Sequence, residues 1–122
     1  MKDESVRDLR TRTRQFALRV MRLSEALPKS IAGRVIASQV FRSGSSVGAH
    51  YREACRSRSD AEMVSKLEVA LQELDETAYW VELTAESGMI SLRRLQPLMD
   101  EANELTAIFV TSVRKIKQRR RS

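Results

Sequence analysis

Three side chains close together in the chain, His50, Tyr51 and Cys55, are of types that could move a proton or attack an electrophile. Histidine is a general base near neutral pH, and a cysteine thiolate is a nucleophile. A working pair needs base and nucleophile side by side, with a third group to orient the base. On a helix His50 and Cys55 stand about 140° apart, and no orienting group lies at a recognisable spacing. Cys55 is expected to pack as a small hydrophobe. His50 is expected to hydrogen-bond Glu53, one turn on, or a group on a neighbouring helix. With one cysteine and no His/Cys/Asp cluster, no metal-ligand set is readable. We expect no catalysis, no metal and no cofactor.

The run Arg42-Ser43-Gly44-Ser45-Ser46-Val47-Gly48-Ala49 offers a different chemistry, because glycine and serine also build phosphate-cradling loops. A P-loop, however, ends in Gly-Lys-Ser/Thr, and here Ala49-His50 follows Gly48. No strand precedes the run, as a dinucleotide fingerprint would require. Each glycine costs a helix about 1 kcal/mol relative to alanine. Gly44 and Gly48, four apart on one face, are expected to admit a closely packed neighbouring helix.

The elements around these residues read as four helices in one domain spanning residues 1–122, with a short disordered basic tail from about 117. Scarce Gly and Pro, 5% aromatic content and missing strand runs favour helix throughout. Helix one is expected over about 4–26, on the seam Val6, Leu9, Thr13, Phe16, Val20, Leu23 and Leu27. Pro28 stops it, and Ser30 caps a second helix over about 31–56. Ser59-Asp60-Ala61-Glu62 is a capping box for a third, which ends at Ser87-Gly88. Ser91 caps a fourth with the seam Leu92, Leu95, Met99, Ala102, Thr106, Phe109, Val113 and Ile116, and Pro97 is expected to bend or delay its first turns. Short connections make this an all-α, antiparallel, up-down-up-down four-helix bundle.

Charge is unevenly spread along the chain. Residues 1–58 hold 13 Lys/Arg against 5 Asp/Glu, residues 59–104 hold 3 against 11, and residues 105–122 hold 6 against none. This asymmetry fits a polyanion partner, complementarity between the protein's own helices, or both. Arg34, Arg42, Arg52 and Arg56 fall within an arc of about 80° on helix two. They either solvate that face and pair with the acidic third helix, where Glu62, Glu73 and Glu76 are available, or engage phosphates. Glu53 is close enough to Arg56 for a local ion pair. On helix three, Val69, Trp80 and Leu83, with Tyr79 nearby, project from the side opposite Met63, Leu67, Ala70, Leu71, Leu74, Ala78 and Val81. We expect them to form a subunit interface. No apolar stretch is long enough for a membrane span, Met1-Lys2-Asp3-Glu4 is no signal peptide, and a lone cysteine suits the cytoplasm.

The small-residue run also carries a resemblance. Arg42, Ser43, Ser46, Val47, Gly48, Ala49, Tyr51, Arg52, Glu53 and Ala54, followed by Arg58-Ser59, Lys66-Leu67, Ala70-Leu71 and Glu73, resemble the bacterial four-helix bundle proteins named after 23S rRNA intervening sequences. Tyr79-Trp80-Val81-Glu82-Leu83 and Glu101-Ala102-Asn103-Glu104-Leu105 extend the similarity from about Leu9 to Val113. His50 departs from it, standing where the family usually has Asn. The resemblance implies homo-oligomers, often pentameric rings, and relatives that include nucleic-acid-binding accessory proteins of diversity-generating retroelements. We therefore expect a non-enzymatic oligomer that binds RNA or DNA backbone through Arg7, Arg10, Arg14, Arg34, Arg42, Arg52, Arg56, Arg114, Lys115, Lys117 and the tail arginines. The alternative is a protein–protein interaction module with no nucleic-acid role.

Overall fold

The computed structural model describes the backbone of residues 3–121 and the side chains of residues 8–120. Four helices follow one another: α1 (Asp3–Ala26), α2 (Ile31–Cys55), α3 (Asp60–Glu86) and α4 (Leu92–Arg121). Their ends are set by local chemistry. The Ser30 hydroxyl accepts from the Gly33 N–H at 3.1 Å and so caps α2. Ser59 does the same for Glu62, while the Glu62 carboxylate reaches back to the N–H of Arg58, one residue before the cap. Gly88 takes φ +78° after α3, a conformation that costs glycine least. Connections of a few residues leave consecutive helices antiparallel. The α1–α4 seam is the sparsest contact.

The seam positions bury as their spacing predicts. Leu9, Thr13, Phe16, Val20, Leu23 and Leu27 of α1 face inward, with Ile36, Val40, Val47 and Tyr51 of α2. Tyr51 stacks on Phe109 of α4, ring centroids 5.6 Å apart and planes 9° from parallel, tying α2 to α4 across the core. Each large apolar side chain fully buried in this way contributes about 1.5–3 kcal/mol. The few buried hydroxyls are satisfied locally: Thr13 donates to the Leu9 carbonyl at 2.8 Å and Thr84 to the Trp80 carbonyl at 2.8 Å. The Ser43 and Thr77 hydroxyls meet at 2.8 Å across α2 and α3.

Several expectations need correction. Leu92 is 59% exposed, whereas Leu98 and Leu105 take core places on α4. Once α4 begins at Leu92, Leu95 and Leu98 lie on its inner side and Leu92 is left on the rim. Pro97 does not delay the start of α4, which begins at Leu92 and runs through it as one helix. Its missing N–H only leaves the Arg93 carbonyl, near the exposed start, without its usual donor. The basic tail is helical as far as Arg121, held to α3 by Lys117–Glu68 at 3.5 Å and Arg119–Asp60 at 3.0 Å.

The glycine face is close-packed, but against side chains more than backbone. A Cβ on Gly44 would lie 2.7 Å from Val20 Cγ1, and one on Gly48 would lie 3.1 Å from Thr13 Oγ1. The Thr13 carbonyl carbon, at 3.6 Å from the latter, is the nearest backbone there. Gly33 is as tightly placed, its missing Cβ replaced by the Pro28 carbonyl.

Candidate nucleic-acid interface

The arginines of α2 do not act as one stripe. Arg42 turns toward α3 and pairs with Glu73 at 3.1 Å and with Glu76. The bond to Glu76 holds the Arg42 guanidinium above its ordinary pKa. Glu76 is itself held below the usual carboxylate range, first by the Trp80 indole N–H at 3.0 Å and then by Arg42. Arg42 is thus engaged at the surface by its own chain's α3. Arg34 is exposed at the other end of α2, apart from both groups.

Arg52 and Arg56 turn the other way, toward α1. With Arg10 and Arg14 they line a groove of 440 Å³ between α1 and α2, floored by Thr13, Ala17, Ser45, Gly48 and Ala49. The small floor residues leave the groove open between the flanking arginines, and Gly48 packs closely on Thr13 of α1 beneath it. Among the described residues none of the four guanidiniums forms an ion pair, and the buried Arg10 Nε has no hydrogen-bond partner. Among the described residues Glu53 is the only carboxylate lining the groove, and it is already engaged. It pairs with Lys66 of α3 at 2.8 Å, not with Arg56, and that bond holds its carboxyl below the usual range. Four like charges therefore share one concavity in which, among the described lining residues, the one carboxylate is already paired.

The other expected basic residues are scattered. Lys117 faces Glu68, Arg114 lies beside it on α4, and Lys115 is exposed. The side chain of Arg7 lies outside the described residues. Arg12 turns from the groove to grip Glu101 at 2.6 Å and Glu104 at 2.9 Å across the α1–α4 seam.

His50, Tyr51 and Cys55 lie on the last turns of α2. Cys55 is a half-buried thiol against the core. Burial first, then the Cys55 thiol, pushes the Tyr51 phenol above its ordinary pKa. His50 Nδ1 stands 3.7 Å from Glu53, too far for the expected hydrogen bond, and has no other partner. Among the described residues no group of three His, Cys, Asp or Glu is placed to hold a metal.

The apolar side of α3 also differs from expectation. Val69 is half-buried, and Trp80 and Leu83 are half-buried against the core, with the Trp80 N–H on the carboxylate that also holds Arg42 of α2. Of the four expected interface residues, Tyr79 alone is mainly exposed, at 53%, its ring edge-on to Trp80. Ile31 at 87% and Val35 at 51% exposure, on α2, carry no mark in the sequence reading. A count of turns from the capped start of α2 would have set both outside the Ile36–Val40 seam.

The family model of the 23S rRNA-intervening sequence protein matches residues 8–111. The chain belongs to that family. A crystal structure from Bacteroides thetaiotaomicron, described as a protein of unknown function from the S23 ribosomal protein family, is 30% identical to it. That similarity covers 85% of this chain and 96% of that one, with a TM-score of 0.80. No curated protein matches the chain. The family match spans α1 to α4, so the groove lies within the shared domain.

Proposed function

We propose that this member of the 23S rRNA-intervening sequence protein family is a non-enzymatic, homo-oligomeric nucleic-acid-binding protein, and that the α1–α2 groove grips the phosphate backbone. One observation carries the reading: among the described residues Arg10, Arg14, Arg52 and Arg56 converge with no ion pair of their own, the lining Glu53 being held by Lys66, while Arg12 and Arg42 are paired. Isolated like charges repel, and a phosphate strand would offset that repulsion while releasing its own counterions. The groove presents no aromatic side chain for bases to stack on. Binding is therefore electrostatic and weakly sequence-specific.

Self-association rests on the exposed Ile31, Val35 and Tyr79, with Trp80 and Leu83 beside Tyr79 on α3. A ring, with five subunits as the number the family resemblance implies, would repeat the groove and multiply its field. No helix among the described residues is long and apolar enough to cross a membrane, and we place the protein in the cytoplasm.

Fluorescence anisotropy with labelled RNA and DNA oligonucleotides, titrated with salt, tests the reading. Six neutralised phosphates would weaken binding by roughly 10³ between 50 and 200 mM salt. Binding that ignores salt, or its absence at 50 mM, leaves the protein–protein alternative.

A further inference from the structure

The other flank of α1 holds a second group of arginines. Arg19 and Arg22 of α1 and Arg94 of α4 line a groove of 230 Å³ between the two helices, over an apolar floor that includes Leu23, Ile90 and Leu98. No carboxylate lines it. Arg93 is exposed beside Arg94, and among the described residues none of the four side chains has an ion pair or hydrogen bond. The placement also opposes the helix dipole. The first turn of α4 contains no acidic residue, so Arg93 and Arg94 add positive charge to an end that is already positive.

An exposed ridge joins the two grooves. Arg14, Leu18 and Arg22 follow at four-residue spacing on the outer face of α1 and are all exposed. Arg14 belongs to the first groove and Arg22 to the second. At a rise of ~1.5 Å per residue they stand about 12 Å apart, farther than neighbouring phosphates of one strand and within reach of a strand of several nucleotides.

We propose that Arg19, Arg22, Arg93 and Arg94 form a second phosphate-binding site, and that the two grooves are one cationic track over α1, fully engaged only by nucleic acid long enough to cross the helix. This rests on the nucleic-acid reading above. A ligand confined to the α1–α2 groove ignores the second site, so chain length reports it.

The experiment compares labelled single-stranded RNA of 3, 6 and 12 nucleotides on the full chain and on two variants. One is Arg19→Gln/Arg22→Gln/Arg93→Gln/Arg94→Gln, and the other replaces the same four by Lys. Wild type should gain affinity steeply from 3 to 12 nucleotides. The Gln variant should bind the 3-mer as wild type does and lose at least tenfold on the 12-mer. Its salt slope should be shallower by about 0.7 for each phosphate it no longer neutralises on a single strand. The Lys variant should keep most of the 12-mer affinity, and circular dichroism should show both variants folded. If the Gln variant binds the 12-mer with wild-type affinity and slope while Arg52→Gln/Arg56→Gln does not, the second site is refuted and the first groove stands. If wild type binds none of the oligomers at 50 mM salt, the nucleic-acid reading itself falls.

Discussion

The two flanks of α2 treat the same side chain in opposite ways. Toward α3, Arg42 is caught between Glu73 and Glu76, and Trp80 secures Glu76 in turn. Toward α1, Arg52 and Arg56 join Arg10 and Arg14 over a floor of small residues, with Glu53 already held by Lys66. One flank is a closed charge network in which two carboxylates outweigh the one guanidinium. The other is an open concentration of positive charge. A high isoelectric point therefore says less about polyanion binding than which arginines remain after the internal pairs are counted.

The most disruptive way to break the contrast is to prise α1 from α2. Gly44→Leu should lower stability by about 1–3 kcal/mol, since its Cβ would already lie inside contact distance of Val20. Thermal melting checks this. The gain in helix propensity, up to ~1 kcal/mol, opposes the clash without overcoming it. Gly48→Ala should cost less than half as much as Gly44→Leu, because its nearest atom is 3.1 Å away. A variant at Gly44 that melts above wild type would remove the close-packing account.

Exchanging arginines sharpens the contrast next. Arg52→Gln/Arg56→Gln should flatten the salt slope of single-strand binding by about 1.4 for each protomer engaged and leave the melting temperature nearly unchanged. Arg42→Gln should do the reverse, costing about 0.5–1 kcal/mol of stability with the salt slope intact. Equal effects of the two on binding would erase the distinction between the flanks.

The exposed apolar side chains of α2 and α3 are tested by mass. Ile31→Glu/Tyr79→Glu should move the protein toward smaller species in light scattering coupled to gel filtration. A wild-type mass of 13.9 kDa, one chain, would end the oligomer reading. The smallest expected effect is acid sensitivity. Glu53 and Glu76 have carboxyl groups held below their ordinary value, so their contribution is complete above the unfolded pKa of about 4.3 and is lost as pH falls through the lower folded values. Arg42→Gln should blunt this loss on the α3 flank, readable in urea midpoints at pH 5 and pH 3.

The bundle itself is legible in the sequence because seams repeat and caps are local. Phe16, Val20, Val47 and Phe109 can be placed by counting turns, and Ser30, Ser59 and Gly88 by their immediate neighbours. The division of arginines is not legible. An arc of about 80° contains both edges of α2, and which edge meets α1 or α3 depends on how the helices are arranged around it. Trp80 escapes periodicity for the same reason: it lies off the seam of α3, yet it is half-buried against the core and bonded to the carboxylate that holds Arg42 of α2. The helical tail depends on Lys117–Glu68 and Arg119–Asp60, pairs that join residues far apart in the chain. Arg19, Arg22, Arg93 and Arg94 give no sign in sequence, since the bundle closure alone brings α1 beside the start of α4.

Trp80 is the sole tryptophan of the chain, and its indole N–H is bonded to a carboxylate that also holds Arg42. The molecule thus carries one built-in fluorophore, located on the closed flank of α2. Its emission reports whether the α2–α3 seam is intact and is blind to the ends of α1 and α4. Where far-ultraviolet dichroism, which averages over all four helices, and tryptophan emission change together, the bundle opens as one unit. Where dichroism moves first, it is the sparse α1–α4 seam that has let go.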